Sequence, residues 1–565
     1  MLIGIDVGGT FTDGVLFDGQ AVVSSVKHPT DKQNLKTTLL RVLDDLLTAS
    51  AGAKIHRIVF STTLVTNLLA TESGDETALL LLPGPGLPLD TYCLFADTFF
   101  LNGSIDFRGR ELEAIDRIEV EKAVDAIKAR GIKKIAVVGK FSNRNSSQEQ
   151  EVRKIIMKRD SQMEVAIGSE IAGQLNFLRR IVTTYYSVMT QSAWEDFASE
   201  IGKALAERGI QCAVDVLKAD GGTMPLNISR FKPCETVFSG PAASTMGAIA
   251  LTVNPKNSVV LDIGGTTVDI SLLIDGHPLY ASKGATIQGH YTHINAFSVR
   301  SIPLGGDSPL SIHQGNISVE TRRRGVAACF GGDHPTVTDV FNQKYQLGIG
   351  LPLQSSEKLA GLIKNTEIDM ETLCRAVEDI VFNRIQEAIQ EMFQAWENEP
   401  AYRVWEVVHA RNFDVQEIIG IGAASAAIVP GLAQRMQVNF RIPAYAAVAN
   451  ALGACVARPT LALQVHIDTQ NKFFAIDQGG LSGSIPAGRS FQMKDAKELA
   501  QHHLVEIATS RGMEQYAGEA EFYLEEQFNV IRGWDTVGKI FDVGVQISPG
   551  FIKEYQGVNQ CNKQA

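Results

Sequence analysis

The sequence predicts an α/β protein with two related lobes that face one ligand, followed by a small α+β module. The main observation is an octapeptide that occurs twice, as Asp6-Val-Gly-Gly-Thr-Phe-Thr-Asp13 and as Asp262-Ile-Gly-Gly-Thr-Thr-Val-Asp269. Each copy follows a short apolar run and leads into another, and each second run meets an Asp-Gly pair, a strong hairpin signal. The copies lie 256 positions apart, too far for a solenoid repeat. Two duplicated lobes account for this pattern.

The first part of the chain, residues 1–190, has the alternating pattern of an α/β lobe. After the first octapeptide we predict a helix over 34–47, a strand over 55–60, a helix over Leu64–Ala70, and strands over 78–82 and 134–138. The last strand is a continuous apolar run, as expected of a parallel strand buried on both faces. A helical region opens near 169–174, and we place the edge of this lobe close to the hydroxyl-rich run at 183–187.

Residues 191–458 are predicted to form the second lobe. Its expected elements are a helix over 192–207, a strand over 213–218, a small-residue helix over 239–251, the second β-unit over 258–283, an amphipathic helix over 369–396, a strand, turn and helix around 418–425, and a helix over 445–456. Residues 459–565 then read as a β-β-α-β-β module. It carries no chemistry-bearing motif, so we expect a structural or interface appendage.

Composition limits the possible functions. The 565 residues are 45% hydrophobic and 20% charged, as in ordinary globular proteins. The formal charge of −11 argues against a nucleic-acid binder, so a phosphate site must be built locally from amides, metal and a few cations. The seven cysteines contain no Cys-x-x-Cys pair, which predicts neither a disulfide framework nor a zinc site. With no visible signal peptide or membrane span, we expect a reducing cytoplasm and no membrane partner.

The chemistry of the octapeptide favours a nucleotide. Two adjacent glycines let the backbone approach a bulky anion and leave N–H groups free for phosphate oxygens, and the following Thr adds a hydroxyl donor. The leading Asp can hold hydrated Mg²⁺, which prefers one or two carboxylates together with retained water. The alternative is a pair of ordinary Gly-Gly hairpins, but two copies make a nucleotide site the better interpretation.

Further segments occur in the order of one known family. They are Ser61-Thr-Thr-Leu-Val-Thr-Asn67, Asp220-Gly-Gly222, Phe238-Ser-Gly-Pro-Ala-Ala-Ser244, Gly305-Gly-Asp-Ser308 and Pro335-Thr-Val-Thr-Asp339. With the octapeptides, the chain from residue 1 to about 457 resembles the hydantoinase A / 5-oxoprolinase family, a member of the group that contains actin, sugar kinases and heat-shock chaperones. The resemblance implies a two-lobed actin-like ATPase with ribonuclease H-like duplicated lobes, which binds ATP and Mg²⁺ between them.

The resemblance also implies roles for individual residues. Asp6 and Asp262 would hold the metal, and Asp13 and Asp269 would either order water or tie the hairpins through backbone bonds. The phosphates would lie against Gly8, Gly9, Thr10, Gly264, Gly265, Thr266 and Thr267, and the ribose and base near Gly305, Gly306 and Gly422. Substrate candidates are Thr62, Thr63, Asn67 and Arg300, for which helix capping and an ordinary surface arginine are the alternatives.

The substrate-side segments depart from the family pattern. Arg300 replaces a family His, and the family's large C-terminal oxoprolinase-type half is absent, which suggests a second subunit as partner. His290 and His293 have metal-like spacing but no visible third ligand, and Cys329 has no visible base that would make it a nucleophile. We expect an oligomeric ATP-dependent hydrolase or carboxylase subunit for a cyclic amide or carbonyl substrate. A small-molecule kinase, or a nucleotide switch that acts on a partner protein, remains an alternative.

Overall fold

The structure is a computed structural model that describes residues 1–31, 34–252, 256–399, 414–485 and 491–558. Cys561 lies outside these ranges, and the other six cysteines are free thiols. Within the same ranges, no helix combines the length and apolar character needed to traverse a bilayer.

The first lobe combines two sheets with surrounding helices. Its strands are β1 (Leu2–Val7), β2 (Phe11–Phe17), β3 (Val22–Pro29), β4 (Arg57–Thr62), β5 (Thr77–Leu82), β6 (Thr98–Phe100), β7 (Ser104–Ile105), β8 (Glu111–Glu113), β9 (Lys134–Gly139), β10 (Glu164–Ile167), β11 (Ala213–Leu217) and β12 (Thr223–Pro225). Its helices are α1 (Leu35–Ala49), α2 (Leu64–Ala70), α3 (Arg117–Ala129), α4 (Ser147–Arg159), α5 (Gly168–Ile171), α6 (Phe177–Glu207), α7 (Leu226–Ser229) and α8 (Ser239–Thr252), with 3-10 turns at Leu89–Tyr92 and Pro233–Thr236.

The main sheet of this lobe has the order β12-β11-β4-β1-β2-β3. Strands β11 and β12 lie beyond residue 190, where we expected the first lobe to end, yet β11 pairs in parallel with β4 and so belongs to this sheet. A smaller sheet, β10-β9-β5-β6, is parallel throughout. Both faces of β1 and β9 are buried, which explains their continuous apolar sequences.

The second lobe follows the same plan. Its strands are β13 (Ser258–Ile263), β14 (Val268–Ile274), β15 (His277–Pro278), β16 (Thr286–Ile287), β17 (His290–Tyr291), β18 (Val299–Ile302), β19 (Leu310–His313), β20 (Asn316–Val319), β21 (Glu417–Ile421) and β22 (Asn439–Arg441). Its helices are α9 (Val337–Tyr345), α10 (Pro352–Ile363), α11 (Met370–Glu397), α12 (Ser425–Met436) and α13 (Ala449–Val456), with 3-10 turns at Ala328–Phe330 and Ala446–Val448.

The two main sheets have equivalent strand orders. The second sheet runs β15-β14-β13-β21-β22, which matches β3-β2-β1-β4-β11 in the first. In the first sheet, β1 and β2 form an antiparallel hairpin, and β1, β4 and β11 run parallel to one another. In the second sheet, β13 and β14 form the hairpin, and β13, β21 and β22 run parallel. The predicted two-lobed fold with duplicated topology is therefore confirmed.

One helix replaces two predicted segments. We expected a break between the helical region near 169–174 and a helix over 192–207, but α6 is continuous from Phe177 to Glu207. The hydroxyl-rich run lies inside it, because Thr183 and Thr184 donate to the carbonyls of Arg179 and Arg180, each at 2.7 Å. Such bonds to the preceding turn satisfy hydroxyl side chains without ending a helix.

Helices α8 and α13 cross closely where the two lobes meet. Helix α8 leads into the second sheet and crosses α13. A Cβ on Gly247 would lie 2.1 Å from the Ala449 carbonyl oxygen, and one on Gly453 would lie 2.2 Å from that of Ala243. Only glycine allows this approach. Helix α13 also packs on β1, where a Cβ on Gly4 would lie 2.0 Å from the Ala451 oxygen. The last helix of the second lobe is therefore held against the first octapeptide's strand.

The C-terminal module is a five-stranded sheet with one long helix. Its elements are β23 (Leu461–Asp468), β24 (Phe473–Ile476), β25 (Ser482–Ser484), α14 (Met493–Ser510), α15 (Glu514–Ala517), β26 (Glu521–Arg532) and β27 (Asp535–Ile547). The sheet order is β25-β24-β23-β27-β26. The module is tied to the first lobe, since the Arg108 guanidinium lies 2.6 Å from the Asp468 carboxylate.

Candidate functional site

The two octapeptides form matching hairpins. In register, Asp6 lies opposite Asp13, and Asp262 lies opposite Asp269. Each turn is closed by the same bond, from Gly8 N–H to the Phe11 carbonyl and from Gly264 N–H to the Thr267 carbonyl, both at 3.0 Å. The duplication is therefore geometric as well as sequential.

Each turn leaves backbone donors available. Among the described residues, the N–H groups of Gly9, Thr10, Gly265 and Thr266 donate to no backbone or side-chain acceptor. A Cβ on Gly9 would meet nothing within 4 Å, so the outer side of that turn is open. Unpaired N–H groups in a glycine turn are the donors that bind phosphate oxygens.

Asn450 brings the two lobes' carboxylates together. Its side-chain amide on α13 donates to Asp262 Oδ2 at 3.0 Å and to Asp6 Oδ2 at 3.4 Å. Ser244 on α8 also donates to Asp262 Oδ2, at 2.5 Å. Neither residue was among the sequence candidates. The available signal was a single amide side chain inside the small, apolar run of α13.

The site favours a cation. Burial is the main cause that raises the pKa of Asp6 to about 7; Asp13 and Asp262 add to it, while hydrogen bonds from Ser61 and Asn450 oppose it. Asp6 Oδ1 is buried without a hydrogen-bond partner in the described residues. These residues fit Mg²⁺, because a cation would satisfy the orphaned oxygen and return the carboxylate to its charged form. No group of three or more Asp, Glu, His or Cys in the described ranges could hold a metal, so water and phosphate would complete the coordination.

The second aspartates of the two octapeptides differ. Asp13 pairs with Lys27, whose Nζ lies 2.7 Å from Asp13 Oδ1 and ties β2 to β3. Burial nevertheless raises the pKa of Asp13, and Lys27 opposes this rise. For Asp269, burial and then the charge of Asp262 raise the pKa to about 7, while a hydrogen bond from Ser301 opposes them. Asp269 is therefore better suited to accept a proton near neutral pH, and Asp13 to hold its hairpin.

The glycines predicted near the nucleotide lie against the second turn. Gly306 N–H donates to the Gly264 carbonyl at 2.9 Å. A Cβ on Gly305 would lie 2.5 Å from the Gly265 carbonyl oxygen. Gly422 has φ of +82°, and its Cβ would lie 2.5 Å from Asp262 Oδ1. The structure thus brings all three into contact with the octapeptide.

The threonine-rich helix start lies beside the first turn. Thr63 N–H donates to the Val7 carbonyl at 3.3 Å, as Ala424 N–H does to the Ile263 carbonyl at 3.0 Å in the second lobe. Thr62 is buried, and its hydroxyl caps the N–H of Leu64. The Asn67 amide is exposed and donates to the Thr63 hydroxyl. Thr63 and Asn67 are therefore the members of this group whose side chains reach the surface beside the first turn.

Arg300 is placed away from the phosphate turns. It forms an ion pair with Glu391 of α11. Its neighbour Ser301 lies opposite Asp269 in register, and successive side chains of a strand point to opposite faces. Arg300 is therefore on the face opposite Asp269, and its environment is that of a surface arginine rather than of a substrate ligand.

The remaining candidates have structural partners. His293 Nε2 lies 3.2 Å from the Asn176 carbonyl, and burial lowers its pKa to about 3, so the ring is neutral. His290 lies on β17 with its ring centroid 6.1 Å from that of Phe95. Burial raises the pKa of the Cys329 thiol to about 11, which is unfavourable for a nucleophile.

Known proteins match this chain in sequence and fold. A model of the hydantoinase/oxoprolinase family matches residues 180–462, and one of the hydantoinase/oxoprolinase N-terminal region matches residues 2–159. The alpha subunit of caprolactamase from Pseudomonas jessenii is 24% identical, over 60% of this chain and 53% of its own. The gamma subunit of acetophenone carboxylase from Aromatoleum aromaticum is 24% identical, over 67% of this chain and 59% of its own. The chain thus spans little more than half of either relative.

Two solved structures share the fold over nearly the whole chain. ATP-dependent caprolactamase from Pseudomonas jessenii superposes with a TM-score of 0.71 at 17% identity, covering 96% of this chain and 87% of its own. Nucleotide-free acetone carboxylase superposes with a TM-score of 0.70 at 16% identity, covering 97% and 87%. At these identities the matches show the fold alone, and they include the C-terminal module.

Proposed function

This chain belongs to the hydantoinase/oxoprolinase family, and we propose that it is an ATP-dependent subunit that opens a cyclic amide after phosphorylating its carbonyl oxygen. One observation carries the proposal. Two hairpins with unpaired N–H groups, one from each lobe, have leading carboxylates that are joined by the amide of Asn450. A triphosphate is the ligand that needs donors and a metal-binding carboxylate from both sides.

The residues divide the chemistry between them. The N–H groups of Gly9 and Thr10, and of Gly265 and Thr266, donate to phosphate oxygens. Asp6 and Asp262 would hold Mg²⁺, which would neutralise phosphate charge when bound. Positioning and charge neutralisation are the main contributions a protein makes to phosphoryl transfer.

The proposed reaction has two steps. The amide oxygen attacks the γ-phosphorus as the bond to the ADP oxygen breaks, and the phosphorylated amide has a better leaving group at carbon. Hydrolysis is the second step. One water attacks that carbon and the C–N bond breaks, with a proton passing to the nitrogen, to leave an acyl phosphate. A second water then hydrolyses this acyl phosphate to release the amino acid and inorganic phosphate. We propose Asp269, which is partly buried and lies opposite Asp262 in register, as the group that accepts a proton during nucleotide turnover.

A second subunit would complete this activity. The matched relatives are named as subunits, alpha in one case and gamma in the other, and each extends well beyond the region shared with this chain. We therefore propose an oligomer with an oxoprolinase-type partner in a reducing cytoplasm, a setting that the six free cysteines support.

Product analysis tests the proposal. The purified chain, alone and with a candidate oxoprolinase-type second subunit, is incubated with MgATP and a lactam, a hydantoin or a ketone plus bicarbonate. Phosphate release stimulated by a lactam, with a ring-opened product, supports the hydrolase. Release that needs a ketone and bicarbonate would move the assignment to carboxylation. A stable phosphorylated product would indicate a kinase, and stimulation by a protein alone would indicate a switch.

A further inference from the structure

A cavity lies between the first lobe and the C-terminal module. Its volume is about 80 Å³, and its walls come from α6, the loop after β11, the 3-10 turn Pro233–Thr236, strand β23 and the end of α14. A group of the size of a water molecule needs about 10–15 Å³ of cavity volume. A cavity of about 80 Å³ therefore accommodates about five to eight non-hydrogen atoms. None of its lining residues belongs to an octapeptide.

The cavity is at a functional edge of the sheet. Strand β11 pairs in parallel with β4, so Lys218, the residue after β11, follows the same edge as Thr62 and Val7 at the ends of β4 and β1. Ligands of open α/β sheets bind outside the carboxyl ends of the strands. Two strand spacings separate β11 from β1, so this cavity lies about 10 Å along the edge from the first octapeptide.

Charged side chains line the cavity, and each of its two lysines forms an ion pair with a carboxylate. Lys218 Nζ lies 3.0 Å from Asp220 Oδ2 and 3.7 Å from Glu235 Oε2. Lys232 Nζ lies 3.5 Å from Glu235 Oε1 and donates to Gln478 Oε1 at 2.7 Å. Each lysine therefore has a carboxylate partner within the protein.

Arg511 is the cation without such a match. It follows α14 and lines the cavity, yet within the described ranges its guanidinium makes no hydrogen bond or ion pair. Burial lowers the pKa of Arg511, and Glu235 opposes this from a distance. The remaining acid, Asp477, already accepts from Gln464 N–H and the Gln174 amide. The guanidinium is partly exposed and lines the cavity, so its N–H donors are available to a ligand there and have no acceptor among the described residues.

We propose that this cavity binds a small organic acid of about five to eight non-hydrogen atoms, with its carboxylate paired to Arg511 and flanked by Lys218 and Lys232. A carboxylate matches the planar fork of a guanidinium and can accept two parallel hydrogen bonds. The proposal gives the C-terminal module, which we expected to be an appendage, a direct part in ligand binding. It does not depend on which reaction the octapeptides support.

Calorimetry on the full chain tests this site. Malonate and succinate are titrated as probes, with malonamide and succinamide as uncharged counterparts of the same shape. We expect the acids to bind and the amides not to. The Arg511→Gln variant should bind the acids at least about 10-fold more weakly, since hydrogen bonds to charged groups are among the strongest in proteins. Arg375→Gln, a change at an exposed arginine of α11, is the matched control and should bind as the unchanged protein does.

Other outcomes overturn the site. Equal binding of acid and amide, unchanged affinity in Arg511→Gln, or no binding of either acid would each do so. MgATP binding by the same samples shows that they are folded. If the nucleotide proposal is wrong, MgATP binding is lost while binding of the acids is retained. A phosphate-release assay then identifies the source of the acid. Stimulation of phosphate release marks a substrate and no stimulation marks an effector, and either result supports the site.

Discussion

Replacing Gly422 by alanine should displace the Asp262 carboxylate while leaving the protein folded. Gly422 has φ of +82°, and an added Cβ would lie 2.5 Å from Asp262 Oδ1 and 2.6 Å from the Ile263 carbonyl oxygen. Ordinary contact requires about 3.5 Å, so the carboxylate must move by about 1 Å. A misplacement of that size can cost about 100-fold in rate. Alanine at positive φ adds a stability cost of about 1–2 kcal/mol.

The control separates backbone strain from the contact. Gly209 has φ of +68°, but a Cβ there would meet nothing within 4 Å. Melting temperature and kcat/KM for MgATP hydrolysis are measured for Gly422→Ala and Gly209→Ala. Gly422→Ala should lose more stability than Gly209→Ala, because its Cβ also meets the Ile263 backbone, and only Gly422→Ala should lose activity, by about 100-fold. If the two folded variants hydrolyse ATP within about threefold of each other, the Gly422 contact with Asp262 does not position the site.

Three further changes probe the α8–α13 crossing, the amide between the leading aspartates and a buried acid. Asn450→Leu removes the amide that joins the two leading aspartates and should weaken MgATP binding at least about 10-fold with little change in melting temperature, which calorimetry and thermal unfolding check together. Gly453→Ala would place its Cβ 2.2 Å from the Ala243 carbonyl oxygen, so the crossing of α8 and α13 must open. We expect the free energy of unfolding, measured with denaturant, to fall by about 2 kcal/mol or more. An unchanged denaturation midpoint would contradict the close crossing. Burial raises the pKa of Asp477 from 3.8 to about 6, so its protonated form stabilises the fold below pH 4 and that contribution is lost as pH rises through 6. Between pH 4 and 6 the free energy of unfolding of the unchanged protein should therefore include a loss of up to about 3 kcal/mol that Asp477→Asn does not show. Parallel curves of stability against pH for the two proteins would contradict this prediction.

The sequence predicted local features well because their causes are local. The duplicated hairpins follow from glycine pairs, apolar alternation and Asp-Gly turns, all within a few residues of each other. The long segments of the predicted C-terminal β-β-α-β-β order were also readable, since each has its own periodicity. The short strand β25 and the short helix α15 were not predicted. Family membership was confirmed for the same reason, because it rested on these short motifs.

Long-range pairing was harder to predict. Nothing in the sequence of β11 indicates that it pairs with β4, since parallel strands join residues that are far apart in the chain. Arg300 was a candidate because it replaces a family His ahead of the glycine pair, but the face it occupies depends on strand register with β14. A one-residue change of register reverses that face.

Polar residues outside motifs were missed in the same way. Asn450 is a single amide in a small-residue helix, and its role appears only when α13 packs against β1 and α8. Arg511 belongs to a segment without a motif, and its position depends on how the module closes over the first lobe. Both become informative through tertiary contacts rather than through sequence spacing.

The central claim is that one MgATP is held between the two octapeptide turns. Calorimetric titration of MgATP into the unchanged protein, Asp6→Ala, Asp262→Ala and the surface control Asp125→Ala tests it most directly. One nucleotide should bind per chain, and affinity should fall at least about 10-fold in each octapeptide variant while the control is unchanged. MgATP affinity and turnover that survive both Asp6→Ala and Asp262→Ala would show that the nucleotide is not held at this cleft.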